Sequence, residues 1–143
     1  MKLSFIKQVP VRIPKTHLIE VVRFIESKLP KKYKVSHLEL VLVFVDEPTI
    51  KGLNKKFRGK NKVTDVLSFD PVEEESLGEL VFCTRKIKSQ ALQNGHSYRD
   101  ELVYMMLHGI LHLLGYEHEC GGKKEKEMFR LQDNIFSLYL NLF

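Results

Sequence analysis

The chain has 143 residues, a formal net charge of +5 at pH 7 and only two cysteines. This length fits one domain with one core, and no stretch reaches the roughly 18 to 20 continuous apolar residues of a membrane span. The first residues lack a secretory signal pattern, so we expect a cytoplasmic protein without membrane contact, with Cys83 and Cys120 as free thiols.

Apolar periodicity predicts an α+β fold, with a small mixed sheet of about four strands packed against about five helices. The expected strands cover residues 2–9, 38–45, 66–69 and 77–83. The expected helices cover residues 14–29, a short segment after Asp46, and residues 84–94, 97–114 and 123–142. Asp46 and Ser97 are predicted to cap the helices that follow them.

The short helix after Asp46 is predicted to place Ile50, Leu53 and Phe57 on its apolar side. Its polar side continues into a basic run with no acidic residue, which contains Lys51, Lys55, Lys56, Arg58, Lys60 and Lys62. Such a run is a candidate contact for the phosphates of a polyanion. A solvated basic loop is the alternative.

Three histidines dominate the chemistry of the sequence. His108 and His112 are four residues apart on a predicted helix, so both stand on one face and can share a metal ion. Gly115 lets the chain leave the helix, so that His118 can approach from a third direction. Three imidazoles leave one tetrahedral position for water, which distinguishes a catalytic zinc site from a closed structural one. We therefore predict one Zn²⁺ per chain, although nickel or copper could bind the same ligands.

The spacing of these histidines equals that of the metzincin proteases, which carry a general-base glutamate directly after the first histidine. Here that position is Gly109, which cannot accept a proton. A base would have to come from elsewhere, and Glu117 and Glu119 are either candidates or solvated carboxylates. Cys120 lies close enough in sequence to be a further ligand, but three histidines already complete a catalytic site.

Glu101 precedes His108 by two helical turns. It is either an orienting partner for a ligand imidazole or an acid stabilised at the helix N-terminus. Thr64 and Asp65 are interpreted as turn and strand-entry residues, with a local backbone hydrogen bond to Asp65. Ser68 is not expected to be a nucleophile, because no base is identifiable beside it.

Two motifs resemble the YbeY family, the bacterial rRNA maturation factors described as metal-dependent endoribonucleases. Residues 108–118 match its His-Gly-x-Leu-His-Leu-x-Gly-Tyr-Asp/Glu-His pattern, with Glu117 where Asp is more usual, and residues 64–69 match its Thr-Asp-Val-Leu-Ser-Phe signature. Residues 53–58 resemble its Leu-Asn-x-x-Phe/Tyr-Arg stretch, and element order and length agree over almost the whole chain.

The resemblance implies His108, His112 and His118 as zinc ligands, Arg58 as a functional arginine in the cleft, and RNA as substrate. A guanidinium can also hold a phosphate bidentately, which supports the same role for Arg58. We therefore expect Arg58 and His112 to be catalytic, in a single metal-dependent hydrolase domain spanning residues 1–143. Expected partners are rRNA precursors and ribosomal components, with no small-molecule organic cofactor.

Two alternatives remain at this stage. A zinc-stabilised ribosome-assembly or RNA-binding factor would use the same residues with little or no catalysis, and metal removal would then unfold it. A metallopeptidase-like hydrolase would need a carboxylate near the metal at a position other than residue 109.

Overall fold

A computed structural model describes residues 1–116 and 122–143 of the chain. The strands are β1 (Lys2–Lys7), β2 (Glu39–Val45), β3 (Val66–Phe69) and β4 (Ser76–Cys83). The helices are α1 (Lys15–Lys28), α2 (Glu47–Arg58), α3 (Thr84–Asn94), α4 (Tyr98–Leu113) and α5 (Lys123–Leu142). The predicted elements are all present, with small differences at their ends.

The four strands form one mixed sheet in the order β1-β2-β4-β3. β1 and β4 each pair with β2 in parallel, whereas β3 pairs with β4 antiparallel and forms an edge of the sheet. The predicted α+β class with a four-stranded mixed sheet is therefore confirmed. The edge position of β3 matters for function, because an edge strand leaves one side open to a cleft.

Alternating side chains of β2 face two separate hydrophobic clusters, as the period of a strand requires. Leu40, Leu42 and Phe44 join the larger cluster, which also includes buried residues of α1, α3, α4 and α5. Val43 and Val45 join a smaller cluster under α2, to which α2 contributes Ile50. The sheet is thus covered on both faces, and α2 and α4 lie on opposite sides of it.

Both predicted helix caps are present. The Asp46 carboxylate accepts a hydrogen bond of 2.9 Å from the Thr49 backbone N–H, and the Ser97 hydroxyl accepts one of 3.1 Å from the Asp100 N–H. At the other end of α2, Gly59 adopts a positive φ of 69°. This left-handed residue stops the helix directly after Arg58 and begins the loop that leads to β3.

One prediction about α2 was wrong in part. Ile50 is fully buried and Leu53 is half-buried, but Phe57 is 56% exposed. Phe57 packs on Phe69 of the edge strand β3. The helical period was correct, but Phe57 packs at the edge strand of the sheet and stays largely exposed.

Cys83 is a buried free thiol, as expected, and burial raises its pKa above the usual value. Cys120 lies outside the described residues. None of the helices in the described part of the chain is long and apolar enough to cross a membrane.

Candidate active site

His108 and His112 lie side by side on α4. Their ring centroids are 4.8 Å apart and their planes meet at 71°. Both side chains are half-buried, while Leu107, Ile110 and Leu111 on the rest of the turn are buried in the core. The packing of α4 therefore aims the histidine pair away from the core, as their spacing predicted.

The orientation of His108 depends on a residue of another helix. Nδ1 of His108 lies 3.0 Å from Oε1 of Gln132, which is completely buried on α5. When the amide oxygen accepts this bond, Nδ1 carries the ring hydrogen and Nε2 keeps the lone pair that a metal ligand needs. Sequence analysis missed Gln132, although it interrupts the apolar face formed by Met128, Ile135 and Tyr139.

The histidine pair opens onto a cavity of about 360 Å³. Its lining consists of Arg58 from the end of α2, residues 64–68 from the β3 segment, and His108 and His112. The structure therefore brings Arg58 and two of the three predicted ligand histidines to one cleft, although they are far apart in sequence. Ser68 also lines this cavity.

Asp65 organises the side of the cavity opposite the histidines. Its Oδ1 accepts a hydrogen bond of 2.7 Å from the Val66 N–H and one of 3.2 Å from the Thr64 hydroxyl. Its Oδ2 accepts a bond of 3.2 Å from the side chain of Gln90 on α3. The predicted local backbone bond is confirmed, and the contact to Gln90 adds an anchor that fixes the entry into β3.

Gly109 faces the sheet and not the cleft. A Cβ built on this residue would lie 2.5 Å and 2.7 Å from the two terminal carbons of the fully buried Leu80 on β4. A side chain here would enter the core between α4 and the sheet. The position of the metzincin glutamate is therefore closed to a general base by packing as well as by sequence, which argues against the peptidase alternative.

Glu101 does not orient a cleft histidine. Its Oε1 accepts a hydrogen bond of 3.1 Å from the Asn94 side chain, and its Oε2 lies 2.9 Å from Nδ1 of His96. The carboxylate is almost completely buried in the first turn of α4. The interpretation as a first-turn acid is confirmed, and the orienting role in the sequence interpretation was wrong. His96 and Asn94 tie Glu101 to the connection between α3 and α4.

The chain leaves α4 as predicted. Gly115 has a φ of 98°, and the Tyr116 N–H donates a hydrogen bond of 3.1 Å to the Leu111 carbonyl. The Tyr116 ring packs on Tyr33 with a centroid distance of 5.9 Å, and burial raises the pKa of Tyr116 to about 12. These contacts fix the chain immediately before residue 117.

The remaining candidates, His118, Glu117, Glu119 and Cys120, fall in residues 117–121, outside the described residues. Within residues 1–116 and 122–143, no group of three or more histidine, cysteine or carboxylate side chains is arranged to hold a metal ion. The two histidines that are described nevertheless suit a metal. They are adjacent imidazole donors on one helix face at an open cavity, and one of them has a buried hydrogen-bond acceptor behind its ring.

The basic run forms an exposed surface beside the cleft, which we call the basic patch. It consists of Lys51, Lys55, Lys56, Arg58, Lys60 and Lys62, all of which are exposed. None of the six forms an ion pair with any other described residue. Their charges are therefore available to an anionic ligand that approaches the cleft along α2.

The fold and this cleft define a small α+β protein with a histidine pair and an arginine at the edge of a mixed sheet. A family model described as "Endoribonuclease YbeY" matches residues 5–139. The chain therefore belongs to the YbeY family.

Individual relatives agree with this assignment. An Endoribonuclease YbeY from Bdellovibrio bacteriovorus is 44% identical over 92% of this chain and 87% of its own length. One from Persephonella marina is 41% identical over 77% of this chain and 76% of its own length. The solution structure of TM1509 from Thermotoga maritima superposes with a TM-score of 0.63 at 30% identity, covering 94% of this chain and 87% of that one.

Proposed function

We propose that this chain is a zinc-dependent endoribonuclease that cleaves single-stranded RNA during rRNA processing and ribosome quality control. The observation that carries the proposal is that Arg58, His108 and His112 line one cavity beside the basic patch. Endoribonuclease is also the activity named for the relatives. We propose that residues 1–143 act as one domain in the cytoplasm, on rRNA precursors and in contact with ribosomal components.

In this proposal His108, His112 and His118 hold one Zn²⁺. The bound ion would supply Lewis acidity, by polarising a phosphoryl oxygen or lowering the pKa of a water molecule. Gln132 would keep the ring hydrogen of His108 on Nδ1 and so leave the Nε2 lone pair to the metal. Gly109, between the two histidines, allows α4 to pack closely on Leu80.

Arg58 is proposed to bind the phosphate at the reacting centre. Its guanidinium can donate two parallel hydrogen bonds to phosphate oxygens. Developing negative charge on those oxygens would strengthen these bonds in the transition state. The lysines of the basic patch would bind neighbouring phosphates and thereby raise affinity without selecting a sequence.

Cleavage of a labelled single-stranded rRNA fragment by Arg58→Ala, Arg58→Lys and the wild type tests this function. We expect Arg58→Ala to reduce kcat by about 10²- to 10³-fold, the usual effect of removing one donor to a developing anion. Arg58→Lys should recover only part of the loss, because lysine cannot bind bidentately. Arg23→Ala is the matched control, since Arg23 is exposed on α1 and lines no part of this cavity.

If the wild type leaves RNA intact under metal-replete conditions, the nuclease proposal is wrong. Binding of rRNA without cleavage would then favour the assembly-factor alternative. Cleavage of an unfolded protein substrate such as casein would favour the peptidase.

A further inference from the structure

A second cavity adjoins the active-site cavity. It has a volume of about 250 Å³ and is lined by Phe57, Arg58, Leu67, Ser68, Phe69 and Asp70. Arg58, Leu67 and Ser68 line both cavities. The two spaces are therefore neighbours along the edge strand β3, and the side chain that we assign to the phosphate is common to both.

We propose that this second cavity binds one unpaired base of the RNA strand whose phosphate is held by Arg58, with Phe57 as the stacking surface. The inference rests on the proposed function, and it adds a base-binding subsite to the cleft. Its occupant is a nucleobase next to the phosphate that Arg58 binds.

Phe57 has the exposure and the orientation of a stacking residue. Its side chain is 56% exposed, although the helical period places it in line with the buried Ile50. It packs edge-to-face on Phe69, with centroids 5.2 Å apart and an angle of 80° between the rings. Nζ of Lys56 lies 5.3 Å from the centroid of the Phe57 ring. An exposed aromatic ring that its neighbours hold in place is how proteins bind unpaired bases.

The distribution of charge distinguishes a base from a phosphate in this cavity. Phosphates are attracted to the exposed lysines and to Arg58, and the Asp70 carboxylate, which lines the second cavity together with Arg58, makes that lining less favourable for a second phosphate. A carboxylate and the Ser68 hydroxyl instead suit the N–H donors on the edge of a base. The volume is also below the roughly 300 to 1,000 Å³ of drug-sized sites, which favours a single ring system.

The inference explains why a base must be unpaired to bind. Stacking on Phe57 exposes one face and one edge of the base to protein groups, which a base within a duplex cannot offer. The subsite would therefore select single-stranded RNA, and the basic patch would not, because duplex and single strands both carry phosphates.

Binding of fluorescently labelled single-stranded RNA to the full zinc-loaded chain tests the subsite, with anisotropy as the readout. We expect Phe57→Ala to weaken binding on the order of 10-fold, the usual effect of losing one stacked base. Phe57→Tyr and Phe57→Trp should keep wild-type affinity. Leu92→Ala is the matched control, because Leu92 is an apolar side chain that is 84% exposed and lines neither cavity.

A set of RNAs with one abasic position each identifies the base. One abasic position should weaken wild-type binding by the same factor as Phe57→Ala, and combining the two changes should add nothing further. Two results would overturn the inference and leave the nuclease proposal standing. The first is wild-type RNA affinity of Phe57→Ala. The second is that Phe57→Ala weakens binding of duplex and single-stranded RNA equally and that no abasic position reproduces its effect. If RNA binds and both Phe57→Ala and one abasic position weaken binding as predicted, but the RNA is not cleaved, only the nuclease proposal is contradicted.

Discussion

His108 and Gln132 are joined by a hydrogen bond of 3.0 Å between Nδ1 of the imidazole and Oε1 of the amide, across the contact between α4 and α5. With the amide oxygen as the acceptor, the bond puts the ring hydrogen of His108 on Nδ1 and the lone pair on Nε2. Metal-binding histidines commonly have such an acceptor on the other ring nitrogen, and its loss costs about 10- to 100-fold in metal affinity.

We therefore expect Gln132→Met to weaken zinc binding by about 10- to 100-fold, while Gln132→Glu keeps the acceptor and the affinity. Competition with a chromogenic chelator measures the affinity, and the thermal midpoint of the metal-free protein controls for folding. Equal zinc affinities of the Met and Glu variants, with unchanged metal-free midpoints, would show that the bond does not support the metal site.

We expect Gly109 to be required because it lets α4 pack closely on β4, and not because it makes the helix flexible. Gly109→Ala would push a methyl group against the fully buried Leu80, which must repack. We expect a loss of about 1 to 3 kcal/mol from overpacking, partly offset by the better helix propensity of alanine. The free energy of unfolding in urea measures the effect.

Gly52→Ala is the matched control for this substitution. Gly52 lies in the interior of α2, is exposed, and has no atom within 4 Å of an added Cβ. It should stabilise the protein by about 0.5 to 1 kcal/mol. If both alanine variants are stabilised equally, the packing argument for Gly109 fails.

His17 should make stability fall in mild acid. Its Nε2 lies 2.7 Å from the Tyr139 hydroxyl, which donates a bond of 2.6 Å to Asp100. Burial lowers the pKa of His17 below 6.5, and the nearby Arg99 lowers it further, against the opposing carboxylates of Asp100 and Glu20.

The sign follows from proton binding. As the pH falls through 6.5, the ordinary pKa of a histidine side chain, the unfolded chain takes up the proton first and the folded protein only at a lower pH. The contribution of neutral His17 to the free energy of unfolding is therefore fully present above pH 6.5. It is lost as the pH falls from 6.5 to the lower pKa of the folded state. His17→Gln keeps a side-chain N–H donor and should reduce the loss between about pH 7.5 and about pH 5.5.

Urea unfolding of both proteins, with a chelator present, gives the comparison. The two proteins share all their other ionisable groups, whose contributions therefore cancel in the difference. If the free energy of unfolding depends on pH identically in the wild type and in His17→Gln, His17 does not cause the loss of stability in acid.

The fold was predictable because its signals are local. The continuous apolar run of β2, the apolar period of α4 and the caps at Asp46 and Ser97 each depend on residues a few positions apart. The histidine pair was predictable for the same reason, since four residues of helix fix its geometry.

The rest of the site depends on long-range packing. Gln132 reaches His108 from 24 positions further along the chain, and only its place within an apolar face gave a signal. Glu101 is on the predicted helix, yet Asn94 and His96 of the preceding connection take both of its oxygens. Periodicity also could not show that Phe57 packs at the edge strand and stays largely exposed.

The most direct test measures bound zinc and RNA cleavage together, in the wild type, in His112→Ala and in His37→Ala, the last being an exposed histidine outside the active-site cavity. We predict about one zinc per chain and cleavage of single-stranded rRNA for the wild type and for His37→Ala. His112→Ala should remain folded by circular dichroism and lose both zinc and cleavage. Full cleavage by a folded, zinc-free His112→Ala would contradict the account.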